Sequence, residues 1–102
     1  MSELVEQHSV EIAEACRSHG VRTLEVFGSV AAGEYVPGQS DIDLLVEFVP
    51  MSPHARVDAY FSLRDDLERI LGAPVDLVVK GAVKNAVIAQ EIERTKLELY
   101  AA

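Results

Sequence analysis

The apolar positions of this chain change period several times, and each change marks a structural element. Between residues 4 and 19, Leu4 or Val5, Ser9, Ile12 and Cys16 recur at helical spacing. Gly20 is placed to end that helix. Val21 to Phe27 switches to an extended pattern with Leu24, Val26 and Phe27 as core candidates, and Gly28-Ser29 interrupts it. Val30 to Gly33 suits a single helical turn behind Ser29. Glu34 to Ser40 carries Pro37 and Gly38 and reads as a loop.

A second strand is predicted over Ile42 to Val49. Ile42, Leu44, Val46 and Phe48 share one face, and Asp41, Asp43, Leu45 and Glu47 share the other. Pro50 to Pro53 closes it. His54 to Leu71 has the pattern of a long helix, with Val57, Tyr60, Phe61, Leu67, Ile70 and Leu71 as its buried stripe. Gly72-Ala73-Pro74 stops it. Val75 to Val79 is a third strand, and Lys80-Gly81 turns out of it. A last helix is expected from Ala82 to about Arg94, burying Val83, Val87, Ile88 and Ile92. The tail Lys96 to Tyr100 alternates polar and apolar, which fits a short strand, a helix end or a docking segment.

This order predicts an α/β or α+β fold: helices packed on a small sheet, in one domain spanning residues 1–102. Gly28 to Gly33 does not spell the glycine fingerprint of a dinucleotide fold, and no Gly-Lys-Ser/Thr follows as a P-loop requires. The formal net charge of −8 opposes loose association with DNA or RNA, and no direct nucleic-acid binding is expected. It does not oppose nucleotides carried by metal ions, because a bound cation reverses the local field. The stretch Met1 to Glu6 is acidic and no long apolar run follows, so a cytoplasmic protein without membrane association is expected. A domain this small makes a partner or a homo-oligomer a reasonable expectation. Cys16 falls in the apolar pattern and reads as a buried small residue. His8, His19 and His54 lack metal-ligand spacing and read as helix-surface or capping residues.

The chemistry concentrates in three acids and one turn. Asp41 and Asp43 are two apart at the start of a strand, so both carboxylates project from one face. Side by side they repel, and one tends to protonate unless a cation sits between them. Such hard oxygen donors suit Mg2+ or Mn2+. The plainer reading is a solvated face on an edge strand. Asp76 is the single charge in the strand Val75 to Val79, and there it needs either exposure or a partner. If the second and third strands are neighbours, Asp76 reaches the Asp41/Asp43 face and three carboxylates converge into a one- or two-metal site. Gly28 permits close backbone approach. The Ser29 hydroxyl and the N–H groups behind it can bind phosphate. Eleven residues, Val30 to Ser40, then separate this turn from Asp41-Ile42-Asp43.

With these residues in place, the sequence resembles the minimal nucleotidyltransferases of the DNA polymerase β superfamily. The resemblance is carried by Leu24 to Ser29, Gly33-Glu34, Ser40 to Phe48 and Val75 to Val78, within a span of about residues 5 to 95. It implies a small mixed β-sheet flanked by helices. It further implies a nucleoside triphosphate, with ATP expected, and a divalent metal, Mg2+ or Mn2+. Gly28 and Ser29 would be the phosphate-binding pair. Asp41, Asp43 and Asp76 would be metal-binding and catalytic, with Asp76 also activating the acceptor hydroxyl. The sequence departs from the family at Ala32, where relatives of this size carry a basic residue. Lys80, Lys84 and Arg94 are the nearest cations, and of these Lys80 and Lys84 are better placed to approach a phosphate. The resemblance also implies a partner. Minimal nucleotidyltransferases resemble antitoxins paired with helical HEPN ribonucleases, and some are similar to enzymes that transfer AMP to a toxin tyrosine. The expected function is that transfer. Neutralisation by binding alone and service as a subunit of a small-molecule nucleotidyltransferase are the alternatives.

Overall fold

The computed structural model describes residues 3–102; the first two residues of the acidic stretch Met1 to Glu6 lie outside them. The order is α1 (Glu3–Gln7), α2 (Ser9–Ser18), β1 (Val21–Phe27), α3 (Gly28–Ala32), β2 (Ile42–Phe48), α4 (Pro53–Leu71), β3 (Val75–Val79), α5 (Ala86–Thr95) and β4 (Leu97–Ala101). The strands form one sheet in the order β3-β2-β1-β4. β1 is antiparallel to both β2 and β4, while β2 and β3 run parallel. The sheet is therefore small and mixed, with helices on both sides, as the sequence implies.

Strand alternation divides the interior in two. One face sends Leu24, Val26, Ile42, Leu44, Val46 and Leu77 against α2 and α4, where Ile12, Cys16, Leu63, Leu67 and Leu71 complete the main core. On the opposite face Phe27 and Leu45 pack with Ile92 of α5, and Val78 and Val83 close the edge of this smaller cluster. Asp43 is two residues before Leu45, and Asp76 is two before Val78. Both acids therefore share the face that α5 covers.

The first helix is interrupted at His8 (φ −110°, ψ 17°), and α2 restarts at Ser9, so that Val5 and Ile12 are both buried while Ser9 is exposed. α4 begins with Pro53 behind Ser52, whose Oγ accepts the Ala55 N–H at 3.2 Å, and it ends at Gly72 with φ 65°. Its stripe is Leu63, Leu67 and Leu71, with Tyr60 and Ile70 half-buried; Val57 and Phe61, expected in the core, are exposed. Both lie roughly a quarter-turn or more from the Leu63–Leu67–Leu71 line at the helical period. The Phe61 ring meets Tyr60 edge-on at 5.1 Å and lies beneath the Arg64 guanidinium instead. The last helix starts at Ala86 rather than Ala82. Asn85 Oδ1 accepts the N–H groups of Val87 (2.8 Å) and Ile88 (3.3 Å) and fixes that start. Of the apolar residues assigned to its buried side, Ile92 is buried and Val83 is half-buried before the helix, whereas Val87 and Ile88 are exposed. The tail resolves into β4, which covers the far edge of β1. Among the described residues, no helix is long and apolar enough to cross a membrane.

Candidate active site

Three neighbouring pieces of backbone make the site. β1 ends at Phe27, which lies opposite Asp43 in the antiparallel register. Asp43 in turn lies beside Asp76 in the parallel register of β2 and β3. The chain leaves β1 through Gly28 at φ 70° and turns at once into α3. That left-handed conformation suits glycine. Space demands it as well, since a Cβ at residue 28 would collide with the Asp43 carboxylate, its Cγ only 3.2 Å away. Gly28 thus lets the turn and the acid touch. Gly33, at φ 78°, closes α3, and the Glu34 N–H bonds back to the Ser29 carbonyl at 2.7 Å.

An open pocket of about 780 Å3 lies over this end of the sheet. Phe27, Gly28, Ser29, Asp43, Asp76 and Val78 form its floor, and the segment from Ala82 to Glu91, including Lys84, Val87 and Ile88, forms its wall. The structure therefore brings together four of the five residues singled out in the sequence: Gly28, Ser29, Asp43 and Asp76. Asp41 stands exposed just before β2, outside the pocket lining. Its charge is nevertheless felt at Asp43, whose carboxyl is pushed up to about 6. Burial is the largest cause, followed by the charges of Asp76 and Asp41.

The same electrostatics test whether a divalent ion fits. Two carboxylates, Asp76 and Asp41, add to the proton affinity of a third, Asp43, and a cation relieves that repulsion. The donors are all oxygen, as Mg2+ and Mn2+ prefer. Among the described residues, no three acid, histidine or cysteine side chains are grouped closely enough to hold a metal on their own. Nucleotide phosphate oxygens and water would complete such a shell, the usual arrangement for Mg2+ bound through one or two carboxylates.

The structure also separates the two lysines. Lys84 lines the pocket, whereas Lys80 points to Glu47 Oε1 at 3.8 Å and lines other surfaces. Ala32 is exposed on α3 and puts no charge there. Of the pocket wall, the sequence singles out Lys84 as a cation able to approach a phosphate, whereas Val87, Ile88 and Glu91 carry no site signal; Asn85 before an apolar run signals only a helix cap.

The chain is similar to several known proteins. A candidate protein adenylyltransferase of Methanocaldococcus jannaschii is 44% identical over 73 residues, covering 72% of this chain and 70% of that protein. A solved toxin–antitoxin complex with AMP-PNP superposes with a TM-score of 0.70 at 23% identity, covering 92% of this chain and 73% of that one. A solved complex of a tri-AMPylated Shewanella oneidensis HEPN toxin with an MNT antitoxin gives 0.65 at 20% identity, covering 96% and 73%. The nucleotidyltransferase domain family matches residues 10–98. A match of that extent, over a sheet that seats two acids beside a Gly-Ser turn, makes this chain a member of the nucleotidyltransferase domain family.

Proposed function

We propose that the protein transfers AMP from ATP to a hydroxyl, with tyrosine the expected acceptor, on a helical partner of the HEPN toxin type, and thereby acts as an antitoxin. The observation that carries this reading is the register of Phe27, Asp43 and Asp76, which sets two acids against the Gly28-Ser29 turn on the floor of one pocket. Similarity to an archaeal candidate protein adenylyltransferase and to a complex that holds an AMPylated HEPN toxin supports this chemistry and this class of partner.

The Ser29 hydroxyl and the N–H groups of the turn behind it bind phosphate oxygens, and Gly28 allows the backbone to come close to them. Asp76, exposed on the pocket floor, faces the acceptor and draws its hydroxyl proton. The acceptor oxygen forms a bond to the α-phosphorus as the bond to pyrophosphate breaks, so one AMP unit is gained and one pyrophosphate is lost. Asp43 and Asp76, with Asp41 close by and phosphate oxygens completing the shell, would hold magnesium, which neutralises phosphate charge and eases ionisation of the acceptor when bound. The apolar wall of Val87 and Ile88 gives a partner's acceptor segment something to rest on.

A second reading draws on Ala32. Without a basic residue there, nucleotide grip is weaker, and the protein would neutralise its partner by binding alone. Intact-mass measurement of the partner, after incubation with the protein, Mg2+ and ATP, separates the two. Added whole AMP units establish transfer. An unchanged mass together with a stable complex rejects it in favour of binding.

A further inference from the structure

We propose that Thr95 is a positioning residue for nucleotide binding: its hydroxyl pins the Gly28-Ser29 turn to α5. This rests on the reading of Gly28-Ser29 as the phosphate-binding turn.

The helical turn α3 has no cap of its own, because the residue before it, Phe27, has no side-chain oxygen. The cap comes instead from far along the chain. The Gly28 N–H donates to Thr95 Oγ1 at 2.9 Å. The Thr95 hydroxyl in turn donates to the Glu91 carbonyl, one helical turn back, at 2.7 Å. The second bond commits the hydroxyl proton to α5 and leaves a lone pair aimed at Gly28. A backbone N–H is thereby satisfied at the point where a side chain at residue 28 would collide with Asp43.

The position of Thr95 adds to this. It is the last residue of α5, and β4 starts at Leu97, which pairs with Val26 near the end of β1. Helix and turn therefore meet at one hydroxyl, two residues before the edge strand begins. α5 carries Val87, Ile88 and Glu91 in the pocket wall, while α3 carries Ser29 in its floor. The Thr95 bond fixes the distance between wall and floor, and so the space a nucleotide has. A serine preserves both bonds. A valine preserves the shape and abolishes both.

Thr95→Val and Thr95→Ser are compared with wild type by hydrogen exchange of the Gly28 amide, by calorimetric titration with Mg2+ and a non-hydrolysable ATP analogue, and by steady-state transfer. The expected result for Thr95→Val is at least tenfold faster Gly28 exchange, unchanged exchange at Leu44 and about tenfold weaker nucleotide binding. Its KM for ATP rises by a similar factor, with kcat changed much less. Thr95→Ser stays within about twofold of wild type throughout. Wild-type nucleotide affinity in Thr95→Val, or unchanged Gly28 exchange, overturns the proposal even if the melting temperature falls. Failure of Thr95→Ser to restore binding also overturns it. If wild type itself binds no nucleotide, the reading of the turn fails, and the positioning role is overturned with it.

Discussion

Gly28 and Asp43 occupy space that allows no side chain at residue 28: the backbone there stands at φ 70° with the Asp43 carboxylate directly above it. Gly28→Ala meets both obstacles. Left-handed backbone strain and displacement of the acid together should cost about 2 kcal/mol of stability. Transfer should be lost with it, because the carboxylate must move to make room. Chemical denaturation and the partner mass assay check the two effects. A variant with wild-type activity would refute the close approach.

Asp43→Asn should separate stability from function. The Asp43 carboxyl binds its proton more tightly in the fold than in the unfolded chain, where it titrates near ~4. The stability gained by protonation is full below that range and is lost as the pH rises through about 6. Asparagine does not ionise. In a chelating buffer the variant should therefore match wild type near about pH 4 and exceed it at about pH 8, by on the order of 1 kcal/mol after screening of a half-exposed group. Transfer should vanish at every pH. Thermal melts across that range test the sign.

Replacing the two lysines singly should have unequal effects. Lys84→Ala removes the cation that lines the pocket and should weaken nucleotide binding several-fold, about 1 kcal/mol. Lys80→Ala removes a charge turned toward Glu47 and should leave affinity unchanged. Equal losses in the two titrations would contradict this assignment.

Cys16 is fully buried, and burial pushes its thiol up to about 12. A thiol reagent near neutral pH should not label the native protein, and labelling should appear together with unfolding in denaturant. Fast labelling without denaturant would show that α2 does not pack as described.

Asn85→Ala removes the acceptor of two N–H groups at the start of α5 and should cost about 1 kcal/mol. Fraying there loosens the pocket wall, so nucleotide affinity should fall as well. Asparagine before an apolar run is a helix-start signal, and it overrides the earlier start that Ala82 and Val83 suggest. The expected start at Ala82 passes over that signal.

Other features were legible because they are local. The three strands from Val21 to Val79 are short apolar runs bounded by Gly or Pro, and the Asp41/Asp43 and Gly28-Ser29 motifs lie on or beside them. The alternation of Leu97 to Tyr100 has no single meaning until the free edge of β1 exists to receive it. Val57 and Phe61 have core chemistry, yet which apolar residues of α4 face the sheet depends on how the helix is rotated over it. The bond from Gly28 to Thr95 joins residues 67 apart, and no spacing rule reaches that far.

That separation has a consequence for the order of synthesis. Translation delivers Gly28, Asp43 and Asp76 well before Thr95 and the strand that follows it. Until residues 95–101 leave the ribosome, β1 has an open edge and the turn after it has no cap. A growing chain therefore holds its acids and its Gly-Ser turn without the clamp that seats them. If Thr95 seats the turn as proposed, the grip on a nucleotide forms only after residues 95–101 have joined the sheet.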